Sequence, residues 1–183
     1  MQPLFLIIGP PAVGKSSTSK ALAARFDKSI HIPVDDIRNM VVSGLVLPSG
    51  DWSPELVRQI TLARKSAIEI ALHYRQAGYA VVMDDFVDPN RLLEYQPLLS
   101  DPHFHRFVLF PKQEAAHARN LRRAGDDPGR DYIDQGIRAV YQQLNSMIAD
   151  LLDEGWIILD TTDLSIEETL REILQHSAGS TPP

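Results

Sequence analysis

The chain of 183 residues contains no cysteine. That absence excludes disulfides, thiolate metal sites and thiol nucleophiles together, and leaves the redox compartment open. Basic residues are also in short supply: 18 Lys and Arg stand against 24 Asp and Glu, a formal net charge of −6. A chain with this balance has no global positive field to gather a nucleic-acid backbone or an anionic membrane, so any phosphate chemistry must rest on a local cluster. No apolar stretch approaches the length of a membrane span. The N-terminus enters a strand pattern without the charged segment, apolar helix and cleavage site of a secretion signal, so a cytoplasmic protein without a membrane partner is the expectation. Internal repeats and the guanine-reading pattern N-K-x-D are missing too.

What is present begins with Gly9-Pro10-Pro11-Ala12-Val13-Gly14-Lys15-Ser16, the phosphate-binding pattern G-x-x-x-x-G-K-[ST]. It follows the apolar run Leu4 to Ile8, which reads as a buried strand, and precedes a helix pattern carrying Ala21, Leu22 and Phe26. The spacing has a physical purpose. Glycines let backbone N–H groups turn inward around phosphates, Lys15 reaches the outer phosphates, and the Ser16 hydroxyl holds Mg²⁺. Gly9 through Ser17 are therefore the expected nucleotide-binding segment, with ATP preferred because no guanine-reading motif appears.

Strand and helix patterns alternate along the rest of the chain, which predicts a parallel sheet covered on both faces. Strands are expected at Ile30–Val34, Tyr79–Met83, Phe107–Phe110 and Trp156–Leu159. Helices are expected near Ile37–Val42, from Pro54 to Gly78 behind a Ser53 cap, over Asn90–Leu99, after Pro111, over Tyr132–Leu152, and after the capping box Ser165-Ile166-Glu167-Glu168. The length suits one core, so the expectation is a single α/β domain over residues 1–176. It is a three-layer sandwich with a five-stranded parallel sheet, a small helical lid around 115–140 and a flexible tail over 177–183.

In such a sheet, ligands gather beyond the carboxyl ends of the strands. Asp35-Asp36, Asp84-Asp85 and Asp160 follow three strand patterns, and any of them could equally cap a helix. Phosphoryl transfer needs an oriented acceptor, neutralised charge and often a carboxylate to take the acceptor's proton. Asp35 is the expected base, with Asp36 as its neighbour on the acceptor side. Asp84 stands where an acid acts on Mg²⁺, whereas strand alternation points Asp85 the other way, toward the acceptor side if anywhere. Arg119, Arg122, Arg123 and Arg130 surround the connector Gly125 to Gly129, a pattern that suits a lid closing over phosphates. Arg123 is the expected catalytic arginine, with Arg119 and Arg122 on the nucleotide and Arg130 on the acceptor side. Trp52 could roof the acceptor pocket. His103 and His105 share a strand face but lack a third metal ligand.

Together these motifs resemble the small P-loop kinases of the nucleoside-monophosphate-kinase-like group, from Leu4 to about Leu174. Within it, Ile32-Pro33-Val34-Asp35-Asp36-Ile37-Arg38 is similar to the second-strand motif of the 5′-kinase domain of phage polynucleotide kinase. The resemblance implies that Asp35 activates the acceptor hydroxyl and that Arg38 contacts the acceptor. Asp84 to Arg91 matches a strand-end acid followed by an arginine, which implies an acceptor contact for Arg91, and Gly155 to Thr162 is similar to the strand and loop that border adenine. Chloramphenicol phosphotransferase and related small-molecule kinases look similar across the same parts. Asp126 and Asp127 put negative charge in the lid, and the acidic balance removes the basic channel expected for a long nucleic acid. The reading is an ATP- and Mg²⁺-dependent kinase acting on a hydroxyl of a small molecule: a metabolite, a nucleoside or an antibiotic-like compound. A polynucleotide 5′-hydroxyl kinase is the alternative, and an ATP-binding switch or slow ATPase is the rival from another class.

Overall fold

Five strands pair in parallel in the order β2-β3-β1-β4-β5. This is a computed structural model, and it describes residues 1–48, 52–86, 92–125, 127 and 129–178. The strands are β1 (Leu4–Ile8), β2 (Ser29–Pro33), β3 (Ala80–Asp84), β4 (Phe104–Leu109) and β5 (Ile157–Leu159). The helices are α1 (Lys15–Ala23), α2 (Val34–Asn39), α3 (Pro54–Gln76), α4 (Gln113–Ala124), α5 (Gly129–Asp153) and α6 (Ile166–Ala178).

The central strand β1 is apolar at every position because both of its faces are covered. Leu4, Leu6 and Ile8 point into one half of the core, with Val81, Met83 and Val108, beneath Ala63, Ala67 and Ala71 of α3 and Leu144, Met147 and Leu151 of α5. Phe5 and Ile7 point into the other half, with Val82, Phe107 and Leu109, against Leu22 of α1 and Leu170 and Ile173 of α6. Three alanines on the buried face of α3 bring that long helix close to the sheet. Its start is fixed by Ser53, whose Oγ accepts from Leu56 N at 3.2 Å with Pro54 in the first turn. At α6, Ser165 Oγ accepts from Glu168 N at 3.2 Å while Glu168 Oε2 accepts from Ser165 N at 2.9 Å, the reciprocal pairing expected of a capping box.

Several boundaries differ from the sequence expectation. β2 stops at Pro33 and α2 starts at Val34, so Asp35 and Asp36 occupy the first helical turn rather than a strand end. Proline lacks the N–H that would continue a ladder and has a φ suited to leading into a helix. β4 begins three residues early, since Leu4 pairs with Phe104 and the ladder continues through His105 and Arg106 despite their polarity. His105 packs on the Phe5 ring at 5.1 Å between centroids. In place of the described part of the helix expected over Asn90–Leu99 there is a 3₁₀ segment, Leu93–Leu98, which contains Pro97; Asn90 and Arg91 lie outside the described residues. α5 begins at Gly129, three residues before the expected Tyr132, and so includes Arg130. α6 extends to Ala178, and Ser177 Oγ bonds to Ile173 O at 2.7 Å, so Ser177 is helical where a flexible tail was expected.

Candidate active site

The loop after β1 needs its glycines for different reasons. At Gly9, φ is +151° and a Cβ would lie 2.4 Å from Leu109 O of the neighbouring strand, so no other residue fits. Gly14 adopts φ +99° as the residue that leads into α1. Ala12 also takes positive φ, +62°, despite its side chain. The result is a loop that wraps the N-terminus of α1, where unpaired N–H groups and the helix dipole favour an anion. Lys15 Nζ donates to Pro10 O at 2.9 Å, across that loop.

Four charged groups surround Lys15. Burial pushes the Lys15 ammonium below its ordinary range; Asp35, Asp84 and Asp85 oppose that effect, and Arg123 adds to it. Asp35, Asp84, Asp85 and Arg123 thus all lie within electrostatic range of Lys15. Ser16 Oγ donates to Asp84 Oδ1 at 2.8 Å. A hydroxyl beside a carboxylate next to the glycine-rich loop suits Mg²⁺, which keeps several waters and takes few protein ligands. Asp84 sits there because it is the last residue of β3, level with Ile7 of β1 and Pro33 of β2. Its other oxygen, Oδ2, meets His31 Nε2 at 2.5 Å. The sequence reading missed His31. No local pattern pairs residues 53 positions apart, and only the β2–β3 register brings them together.

Asp35 and Arg38 share one face of α2, with Arg38 Nη2 3.4 Å from Asp35 Oδ1. The Asp35 side chain is 51% exposed and the Arg38 side chain 8%. Asp36 is exposed and joins no hydrogen bond or ion pair among the described residues. Trp52 stacks on Phe86 with centroids 6.5 Å apart, and Phe86 also lies 5.8 Å from Arg38 Cζ and 5.6 Å from Arg64 Cζ. Tyr132 of α5 donates to Pro48 O at 2.5 Å, linking α5 to the loop after α2. Gln59 holds an earlier part of that loop through Gly44 O at 2.8 Å and Val46 N at 3.0 Å.

Asp85 is placed differently from the acceptor-side position expected of it. Its carboxylate is wholly buried, accepting from Arg64 Nε at 2.6 Å, Tyr95 Oη at 2.9 Å and Phe86 N at 2.7 Å. Burial pushes its pKa up to about 6, a rise that Arg64 limits. The same burial, with Asp85 beside it, raises the Tyr95 phenol well above its usual range. Arg64 further contacts Glu94 Oε2 at 3.2 Å and Phe86 O at 2.9 Å. This network fixes the wall behind Phe86, and Asp85 has no surface left for an acceptor.

The arginines of α4 divide. Arg119 donates to Val13 O at 3.1 Å and Thr161 O at 2.6 Å, so it ties the phosphate loop to the segment after β5. Arg119 and Arg122 line a cavity of about 590 Å³ together with Gly14, Thr18, Thr161, Asp163 and Leu164. Arg123 is not among the residues that line it; its Nη2 donates to Asn120 Oδ1 at 3.5 Å, and its charge acts on Lys15. Arg130 bonds to Gly125 O at 3.1 Å and pairs loosely with Asp131 at 3.7 Å, which keeps it at the turn between α4 and α5. Asp160 binds Thr162 N at 2.9 Å, so this strand-end acid shapes the loop that borders the cavity. Arg91 lies outside the described residues.

No family model and no curated protein sequence matches the chain. Among solved structures, the chain is similar to shikimate kinase from Acinetobacter baumannii in complex with shikimate, at TM-score 0.65 and 14% identity, over 100% of this chain and 97% of that one. It is similar to the tunicamycin resistance protein of Deinococcus radiodurans at TM-score 0.64 and 20% identity, over 100% of both chains. A gluconokinase from Sinorhizobium meliloti 1021 gives TM-score 0.56 and 15% identity, over 97% of this chain and 92% of that one. At such identities the likeness speaks for architecture, and the chain has the three-layer α/β fold of the P-loop kinases.

Proposed function

We propose that the protein is an ATP- and Mg²⁺-dependent kinase that transfers the γ-phosphoryl group to a hydroxyl of a small-molecule acceptor. The observation that carries this reading is the placement of Asp35. It is half-exposed on α2, yet close enough to act electrostatically on Lys15 in the phosphate loop. A switch that only binds or slowly hydrolyses a nucleotide has no need of a carboxylate there. The likenesses to a shikimate kinase and a gluconokinase lend support, since those names describe kinases of small molecules.

On this reading the cavity beside Arg119 receives the adenine base, and the loop N–H groups with Lys15 hold the phosphates. Ser16 and Asp84 would hold Mg²⁺, which supplies charge neutralisation on the phosphates. Asp35 takes the proton of the acceptor hydroxyl as the new acceptor-oxygen to phosphorus bond forms. The bond from the γ-phosphorus to the bridging oxygen breaks, and ADP leaves. Arg123 approaches from the lid side to offset charge on the moving group. The lid helices α4 and α5 are held together by Asp134, whose Oδ1 meets His117 Nδ1 at 2.7 Å and Asn120 Nδ2 at 3.0 Å. Labelled ATP, screened against hydroxylated metabolites, nucleosides, phenicol- and aminoglycoside-type antibiotics and 5′-hydroxyl oligonucleotides, tests the proposal. Transfer to a small compound supports it; transfer to the oligonucleotide alone, or to water alone, contradicts it.

A further inference from the structure

The segment after α2 begins beside Arg38, since Val41 N donates to Arg38 O at 3.1 Å, and residues 41–48 form no helix or strand. Two other elements hold it. The inner anchor is the buried Gln59 of α3, which takes Gly44 O and Val46 N and also donates to Glu55 Oε1 at 2.8 Å. The outer anchor comes from α5, where the Tyr132 hydroxyl donates to Pro48 O across 84 residues of chain. Tyr132 is 46% exposed, so water could satisfy its hydroxyl and burial does not force this bond. Partial burial pushes the phenol above its usual range, Arg38 opposes that rise and Asp35 adds to it, which puts the bond within electrostatic range of both. The first turns of α5 are in turn fastened to α4. Asn120 Nδ2 donates to Arg130 O at 3.1 Å and to Asp134 Oδ1 at 3.0 Å, on either side of Tyr132 in sequence. α4 also carries Arg119, which donates to Val13 O of the phosphate loop, and Arg123, whose charge acts on Lys15. One pair of helices therefore reaches both the phosphate loop and the segment beside Arg38.

From these observations we infer that Tyr132 is a positioning residue for the acceptor: through Pro48 it ties the 41–48 segment to the α4–α5 pair, so that a nucleotide bound against α4 steadies the segment near Asp35. The inference rests on reading Asp35 as the acceptor-side base. A nucleotide in the cavity beside Arg119 and Arg122 adds contacts to α4, and its phosphates attract Arg123. Asn120 passes the resulting restraint to the start of α5, and Tyr132 passes it to Pro48. Such a coupling is reciprocal, so an acceptor that steadies the segment raises nucleotide affinity by the same factor. Tyr132 acts through Pro48 and takes no part in the proton transfer.

Hydrogen exchange of the backbone amides over 41–47 reads this link without an acceptor. The parent and Tyr132→Phe, which removes the hydroxyl alone, are compared with and without Mg²⁺ and a non-hydrolysable ATP analogue. The analogue is expected to slow exchange of the segment in the parent by about three- to tenfold, the net worth of one hydrogen bond, and much less in Tyr132→Phe. Amides of β1 and β3 should stay equally protected in both, which shows that the variant is folded. Tyr132→para-aminophenylalanine keeps a donor at the same place and should restore the response. Equal slowing in the parent and Tyr132→Phe, or a segment that the analogue does not affect in the parent, would overturn the inference. Kinetics give a second reading. With the acceptor found by screening, Tyr132→Phe should raise its KM about three- to tenfold and change kcat less. An unchanged KM would leave the bond a purely structural one and overturn the positioning role. The kinase reading fails on different data. If no small compound accepts phosphate, that reading falls, and the exchange measurement still decides whether Tyr132 links the nucleotide to the segment.

Discussion

Ser16 Oγ donates a 2.8 Å hydrogen bond to Asp84 Oδ1, joining the phosphate loop to the end of β3 across 68 residues of chain. If the pair holds Mg²⁺, Asp84→Ala leaves the loop able to bind ATP through its backbone but weakens the gain that Mg²⁺ confers. A loss of about tenfold or more in Mg²⁺-dependent affinity, about 1.4 kcal/mol, is expected. Calorimetry with ATP, with and without Mg²⁺, measures it. Equal gains in parent and variant would remove Asp84 from the metal site.

His31 Nε2 engages the other oxygen of the same carboxylate and so orients it. Replacement of such a supporting partner typically costs a metal site about 10–100-fold in affinity. His31→Ala should therefore weaken Mg²⁺-dependent ATP binding while Mg²⁺-free binding stays near the parental value. His31→Gln, which places an amide N–H near the position of Nε2, should recover much of the loss. If both variants lose equally, His31 supports β2 and not Asp84.

Lys15→Ala removes the cation that follows the migrating phosphoryl charge. A contact of this type is worth about 3 kcal/mol in the transition state, so single-turnover transfer should fall at least about a hundredfold. Because the ammonium lies within reach of Asp35, Asp84 and Arg123, the variant also perturbs their balance, and the loss exceeds that of a simple phosphate contact. Transfer at the parental rate would take the loop out of the chemistry.

Asp85 and Arg64 bear on stability instead. Breaking a buried pair by removing one partner costs about 3–5 kcal/mol. Glu94 remains 3.2 Å from Arg64 after Asp85→Ala, so the lower figure applies. Urea unfolding should show a loss of about 3 kcal/mol for Asp85→Ala and a smaller one for Asp85→Asn, which keeps a hydrogen-bond acceptor for Arg64 and Tyr95. A variant as stable as the parent would mean that the network contributes nothing to the wall behind Phe86.

The parts of this site that the sequence displays are those written in consecutive residues. Gly9 to Ser16 specify a turn, a helix start and the Lys15 and Ser16 side chains of the proposed site within a single stretch, and Asp84 closes an apolar run that reads as a buried strand. Asp35 and Arg38 were recognisable for the same reason, though the sequence did not show that Pro33 ends the strand and places both on a helix. What stayed hidden depends on register and depth. His31 is an ordinary edge-strand residue until β2 docks on β3. Asp85 follows Asp84 directly, and only the packing of α3 and Tyr95 separates the acid held by Arg64 from the one that meets Ser16 and His31. That Arg38 Nε and Nη1 have no hydrogen-bond partner among the described residues is likewise invisible to any sequence pattern.

The role of Asp35 is the centre of the account, and Asp35→Asn tests it most directly. Asparagine keeps the size and still accepts a hydrogen bond but is a far poorer base. ATP affinity by calorimetry should change little, whereas single-turnover transfer to the acceptor found by screening should fall about 10²–10⁴-fold, the usual contribution of a positioned general base. Asp36→Asn, at an exposed position without partners, is the control and should transfer near the parental rate. Parental transfer by Asp35→Asn, with or without a loss in Asp36→Asn, would contradict the account.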